Sequence, residues 1–265
     1  MIRLFVVLAS LFATTTVAET MKLAVTTSFH NSGLSDVLLP VIQQDTGLEV
    51  QLLVVGTGQA LRLGEAGDVD AILVHSRAAE EAFVADGFAP YRREIMYNDF
   101  VFIGPQTDAA GIASAGDAAE ALTRIATAQA SFVSRGDESG THKKELSLWR
   151  AAQLDPAEFG SWYKSVGAGM GGSLNTASGL DAYILADRAS WLNFANKGTL
   201  KLVYAGDPAL FNQYAYLPID PARHPHVNAA AQRTLEDWLT SPKAEALING
   251  YKIDDTALFV FNARR

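Results

Sequence analysis

The chain contains no cysteine, which removes disulfides, thiolate metal sites and cysteine nucleophiles together. An exported form of it also cannot carry a lipoprotein anchor, which requires an N-terminal cysteine. Basic residues are in the minority: 21 Lys and Arg stand against 29 Asp and Glu, for a formal charge of −8. No basic stripe gathers anywhere, so nucleic acid is excluded as a partner. After residue 18 no apolar run approaches the ~20 residues that a membrane span needs. Low-complexity linkers and internal sequence repeats are missing as well. Two lobes, if present, must therefore be joined by strands that pass between them, and residues 96–103 and 213–219 are the candidates.

What is present begins with an export signal. Arg3 supplies the charged start, residues 4–12 the apolar stretch, and Thr16-Val17-Ala18 a small-residue cleavage site. Residues 1–18 thus read as a signal peptide, and the mature chain, starting near Glu19, as a soluble periplasmic protein. The apolar stretch is too short to serve as an anchor. Removing 18 of the 265 residues leaves 247, enough for one large domain or two lobes with cores of their own.

Strand and helix patterns alternate along the mature chain. Residues 22–26, 48–55, 70–74, 96–103, 131–133, 201–204 and 213–219 read as strands. Helices are expected at 34–44, 60–65, through Glu80 and Phe83, and at 116–128 and 140–153. A Gly-rich turn at 167–172 opens another, and the C-terminal part is mainly helical. Such alternation implies an α/β fold of mostly parallel sheets with helices on both faces. Ligands of such sheets sit beyond the carboxyl ends of the strands. Donor-rich loops fall at those places: Thr26-Thr27-Ser28, Gly56-Thr57-Gly58-Gln59, His75-Ser76, residues 134–141, and Gly169-Met170-Gly171-Gly172-Ser173. One hydroxyl after a strand is commonly just a helix cap. Five such loops, one of them with an arginine, are not explained that way.

The densest stretch is Ser134-Arg135-Gly136-Asp137-Glu138-Ser139-Gly140-Thr141-His142. Ser139 stands at an N-cap position, leaving the N–H groups of Gly140, Thr141 and His142 at a helix end that favours anions. Arg135 adds a forked, permanently charged donor. In an acidic protein these local donors work against the overall field, which favours a small, desolvated anion site.

Several blocks together carry a family resemblance. They are Ala24-Val25-Thr26-Thr27-Ser28, Val55-Gly56-Thr57-Gly58-Gln59-Ala60-Leu61, Gly67-Asp68-Val69-Asp70, Leu73-Val74-His75, Met96-Tyr97-Asn98-Asp99-Phe100, residues 132–145, Trp162-Tyr163 and Gly169-Met170-Gly171. With them the chain resembles the periplasmic tungstate-binding proteins of tungstate ABC importers, a branch of the type II oxyanion receptors. The Arg-x-Asp-x-Ser-Gly-Thr core alone is shared with phosphate-binding relatives. Ser76 stands where the family more often has alanine.

The resemblance implies a two-lobe, type II binding protein with its ligand in the inter-lobe cleft. Lobe I is expected at 19–102 plus 217–265, and lobe II at 103–216. The implied ligand-binding residues are Thr27, Ser28, Thr57, Gly58, Ser134, Arg135, Ser139, Gly140, Thr141 and Gly171. Asp137 supports them by orienting the guanidinium, since a carboxylate would repel a dianion. No metal site and no cofactor are implied, and no enzyme activity. The expected partners are a tungstate or molybdate ion and an inner-membrane permease, the receptor itself being a monomer. The chemistry agrees: these ions are tetrahedral dianions that only accept hydrogen bonds, so their site needs donors throughout.

Other readings are weaker. A receptor for phosphate or sulfate is the nearest alternative. An exported serine hydrolase using Ser139, His142 and Asp137 would crowd three residues into four positions, too close for a triad. Residues 167–172 match Gly-x-Gly-x-x-Gly, and Asp187 follows Gly167 by 20 residues, but the stretch before them is a poor buried strand for a dinucleotide fold. His224 and His226 form a His-x-His pair with no further ligand beside it.

Overall fold

The computed structural model describes residues 19–137 and 139–264; the expected signal peptide and Glu138 lie outside the described residues. The first half runs β1 (Glu19–Thr26), α1 (Thr27–Asn31), α2 (Leu34–Thr46), β2 (Leu48–Val55), α3 (Thr57–Ala66), β3 (Ala71–Val74) and α4 (Arg77–Ala85) into the long β4 (Arg93–Pro105). The second runs α5 (Ala118–Ala128), β5 (Phe132–Ser134), α6 (Gly140–Ala151), β6 (Tyr163–Ser165), α7 (Met170–Leu180), β7 (Tyr183–Asp187), α8 (Arg188–Asn193) and β8 (Leu200–Tyr204). The chain returns along β9 (Phe211–Pro218) to α9 (Ala229–Leu239), α10 (Pro242–Gly250), and the short β10 (Lys252–Ile253), β11 (Thr256–Ala257) and β12 (Val260–Phe261).

The strand order β2-β1-β3-β9-β4-β7-β5-β6 contains the same unit twice. In the first half β1 lies between β2 and β3 and is parallel to both. In the second, β5 lies between β6 and β7, again parallel to both. The chain therefore leaves β1 to one side and returns to the other, and does the same at β5. That makes the carboxyl ends of β1 and β5 topological switch points, where a crevice opens. The repeat sits in the topology although the sequence carries no trace of it.

The antiparallel pairs all involve β4, β9 or both, apart from the small β10–β11 ribbon. β4 changes partners partway: Arg93 to Asp99 pair with β9, whereas Phe100 to Ile103 pair with β7. β9 stays wholly with β3 and the first part of β4 from Phe211 onward. These crossings fall ahead of residues 102 and 216.

Both faces of each parallel unit are covered, as buried parallel strands require. Met21, Leu23 and Val25 point into a core under α2, α9 and α10, while Ala24 joins Ile72 and Val74 on the opposite face. Along β4 and β7 the same alternation places Phe100, Phe102, Tyr183 and Leu185 on one face and Val101, Ile103, Ile184 and Ala186 on the other. No described helix is long and apolar enough to cross a membrane.

β7 is the element that the sequence did not announce. All five of its residues are buried, and it pairs with both β4 and β5. Its apolar run, Tyr183 to Ala186, is only four residues long and follows a helix directly. Periodicity cannot separate such a run from a helix end. β6, the stretch discounted as a buried strand, is a half-exposed edge strand.

One buried acid has a measurable consequence. Glu145 of α6 is buried and accepts hydrogen bonds from Tyr163 Oη at 2.7 Å and Trp149 Nε1 at 3.2 Å. Burial outweighs these bonds and pushes its carboxyl from 4.5 to about 7. A folded-state value above the unfolded one means stability that is full below about 4.5 and lost as pH rises through about 7. Glu145→Gln is expected to flatten that slope, worth on the order of 2–3 kcal/mol by pH 8. Urea denaturation at pH 5 and pH 8 checks this. Equal pH slopes in both proteins would remove Glu145 as the cause.

Candidate functional site

The site is assembled where strands end. Thr26, the last residue of β1, turns its hydroxyl to accept the Phe29 N–H at 3.3 Å, so the loop Thr27-Ser28 closes into the single turn of α1. From β5 the chain passes through Arg135 to Ser139, the N-cap of α6, whose hydroxyl accepts the His142 N–H at 3.2 Å. From β6 it reaches α7, capped by Gly169 without any side-chain bond, so the amides of its first turn stay open. β7 ends in Asp187, which caps α8 by accepting the Ser190 N–H at 2.8 Å.

These ends surround a cavity of about 550 Å³. Thr27, Ser28 and Asn31 line it from the first half; Arg135, Gly169, Met170, Gly171, Leu174, Asp187, Ser190, Asn193 and Phe194 line it from the second. Among these, Arg135 is the one cation and Asp187 the one carboxylate.

Arg135 is held from behind. Its Nε donates to Asp137 Oδ2 at 3.1 Å, its Nη2 donates to the same oxygen, and its Nη1 lies 3.4 Å from Thr141 Oγ1. Asp137 Oδ1 takes the Ser139 N–H at 3.2 Å. Burial alone would raise the Asp137 carboxyl, but hydrogen bonds from Ser139 and Arg135, with the guanidinium charge, hold it below its ordinary value. It stays ionised and keeps the fork in place.

Ser28 is similarly fixed. Its hydroxyl lies 2.9 Å from His75 Nε2, 3.0 Å from Thr26 Oγ1 and 3.3 Å from Tyr214 Oη. His75 is half-buried, and desolvation of its ring lowers it to about 4, so the ring is neutral. A neutral ring can accept the Ser28 proton or donate to its oxygen.

Of the residues expected from sequence, Thr27, Ser28, Arg135 and Gly171 meet around this cavity. The remainder lie elsewhere. Thr57 and Gly58 open α3 behind the uncapped Gly56, with Thr57 buried. Gly140 faces the other half, where an added Cβ would fall 2.7 Å from His75 Cε1; it lines a neighbouring cavity of about 560 Å³ with His75, Phe100 and Lys144. Ser139 and Thr141 share that first turn of α6. Ser134 is completely buried. The two-residue period of β5 puts it on the Phe132 side, near Glu145 and Tyr163, without a well-formed hydrogen bond.

Ser139, His142 and Asp137 are linked through backbone N–H groups, an arrangement of helix capping and not of proton relay. His226 Nε2 lies 2.8 Å from the Gly67 carbonyl, and among the described residues no three potential metal ligands gather. Asp187 lines the cavity without having been expected there, because the strand that delivers it was hidden.

Residues 13–243 match the PBP superfamily domain. The tungstate-binding protein TupA of Peptoclostridium acidaminophilum is 44% identical over 231 residues, which is 86% of this chain and 80% of that protein. The solved tungstate-binding protein TupA from Desulfovibrio alaskensis G20 superposes with a TM-score of 0.88 at 42% identity, covering 93% of this chain and 100% of that one. The tungstate ABC transporter structure from Geobacter sulfurreducens gives 0.79 at 46% identity, over 88% and 99% of the two chains.

Proposed function

The chain belongs to the family of tungstate-binding proteins within the PBP superfamily, and from that membership we propose that it captures tungstate in the periplasm and delivers it to the permease of an ABC importer. Export by residues 1–18, a monomeric state and no enzymatic step or nucleic-acid partner belong to the same reading. Molybdate, a dianion of the same shape, is the second ligand.

One observation carries it: hydroxyls, open helix amides and an oriented guanidinium converge from both switch points on a single cavity. A dianion that only accepts hydrogen bonds fits donors of this kind, and the helix start favours its charge. We take the lobes as 19–99 with 211–264, and 100–210, because β4 passes from β9 to β7 after Asp99 and β9, which begins at Phe211, pairs only with β3 and the first part of β4. A cavity of about 550 Å³ is too wide for one tetrahedral ion to touch every wall at ~2.7–3.2 Å. Closure of one lobe on the other would bring Thr57, Gly58, Ser139, Gly140 and Thr141 toward the ion and give these residues their role. Ser134 keeps at most a supporting one.

Two measurements test this. Calorimetric titration is expected to rank tungstate first, then molybdate, then sulfate, whose oxygens would fall short of donors set for a larger ion. Scattering is expected to give a smaller radius of gyration at saturating tungstate, because only the closed state lets all donors reach the ion. Tight sulfate or phosphate binding without tungstate binding would hand the function to the alternative receptor. An unchanged scattering profile would mean a preformed, rigid site.

A further inference from the structure

The carboxylate in the cavity is at odds with a donor-only site for a dianion. Asp187 is 3% exposed, lines the same cavity as Arg135 and Ser28, and is the last residue of the central strand β7. Its capping bond needs one acceptor oxygen, Oδ1; the cap therefore does not require a charge, since Asn and Ser cap equally well. From the loop after β5 comes Arg135, itself engaged by Asp137. From α8 itself comes Arg188, whose fork is spent on Asp99 of β4, and Ser190. From β9 comes Tyr214, a neutral phenol, and beyond Ser28 stands neutral His75. Arg135 with Asp137 and Asp187 sums to one negative charge before any ligand enters.

Resting on the receptor reading above, we propose that Asp187 takes one proton from solvent as tungstate enters and donates it as a hydrogen bond to an anion oxygen, so that capture is coupled to pH. The proton moves from a buffer acid to the carboxylate oxygen not used by the cap; no bond of the anion changes. Oδ1 remains the acceptor for Ser190, and the cavity then presents donors only. Burial already raises the Asp187 carboxyl from its ordinary value, against the opposing Ser190 bonds and Arg135 charge. A dianion closing over it would favour the neutral form further. Hydrogen phosphate is received differently: ionised Asp187 accepts its O–H, with no proton uptake.

The test is calorimetry with tungstate and with phosphate between pH 6.5 and 8.5, in buffers of different ionisation heat. Wild type is expected to take up close to one proton with tungstate, its affinity falling by up to about tenfold per pH unit. Asp187→Asn, which keeps the cap oxygen and supplies a permanent N–H donor, is expected to bind tungstate with no proton uptake and no pH slope. It is expected to exceed wild type at pH 8.5 by about tenfold or more. Its phosphate affinity is expected to drop by about ten- to a hundredfold, the O–H having lost its acceptor. Asp187→Ser, also a capping residue, must show the same flat tungstate profile should the Asn variant not fold. Tungstate binding by wild type without proton uptake, or an unchanged slope in the variants, would overturn the proposal. Absence of tungstate heat from every protein at every pH would instead remove the receptor reading, and the role of Asp187 with it.

Discussion

Arg135→Ala is expected to lose about 2–4 kcal/mol of tungstate binding, roughly thirty- to several-hundredfold in Kd. Two effects add. The cavity loses its one cation, and Asp137, which accepted both Nε and Nη2, is left as an uncompensated negative charge behind the ligand. Arg135→Lys is expected to recover only part. An ammonium restores charge but cannot hold Asp137 with two donors while presenting a third to the cavity. The loop itself has other supports, since Asp137 also receives the Ser139 N–H and Ala168 N donates to the Arg135 carbonyl. The fold should therefore survive, which circular dichroism checks alongside the titration. A wild-type Kd in the alanine variant would place Arg135 outside the site.

Much of this molecule was legible before any coordinates, and the reasons are local. Glycine after an amphipathic run closed α2 at Gly47, which is left-handed. The Ser139 cap and the Arg135 loop followed from hydroxyl and guanidinium chemistry at a helix start. What escaped depended on long-range partners. β7 is a strand because β4 and β5 flank it, not because of its own pattern. Asp187 therefore could not be placed at a strand end facing Arg135. Ser134 is placed away from the cavity for the opposite reason. Its position after a strand suggested a ligand donor, but the pleat of β5 turned it into the aromatic core. Thr57 and Thr141 were found at helix starts as the loops implied; whether such a residue lines a cavity depends on how the two halves approach, which local sequence does not encode.

Trp149→Ala is expected to lower stability more than any change at the site, by about 3–5 kcal/mol. Trp149 is fully buried on α6 and meets Phe132, Phe159, Trp162 and Tyr163 edge-on, with ring centroids 4.9 to 6.2 Å apart. Edge-to-face pairs of this kind add to the burial term. Truncation leaves a large void in a close-packed core and takes one hydrogen-bond donor from buried Glu145. The loss should thus be greatest above pH 7, where Glu145 becomes charged. Binding should respond differently. Trp149 lies nine residues from Gly140, about 13 Å along the helix, and its ring partners Phe132, Phe159, Trp162 and Tyr163 are not among the residues lining the cavity. Urea denaturation should show the full loss, while titration of the folded protein in the cold should leave the tungstate Kd within about threefold of wild type, under ~1 kcal/mol. A stability loss below ~1 kcal/mol would mean that the aromatic cluster repacks. A binding loss as large as that of Arg135→Ala would mean that the buried face of α6 aims its first turn at the ligand, joining core and site in one unit.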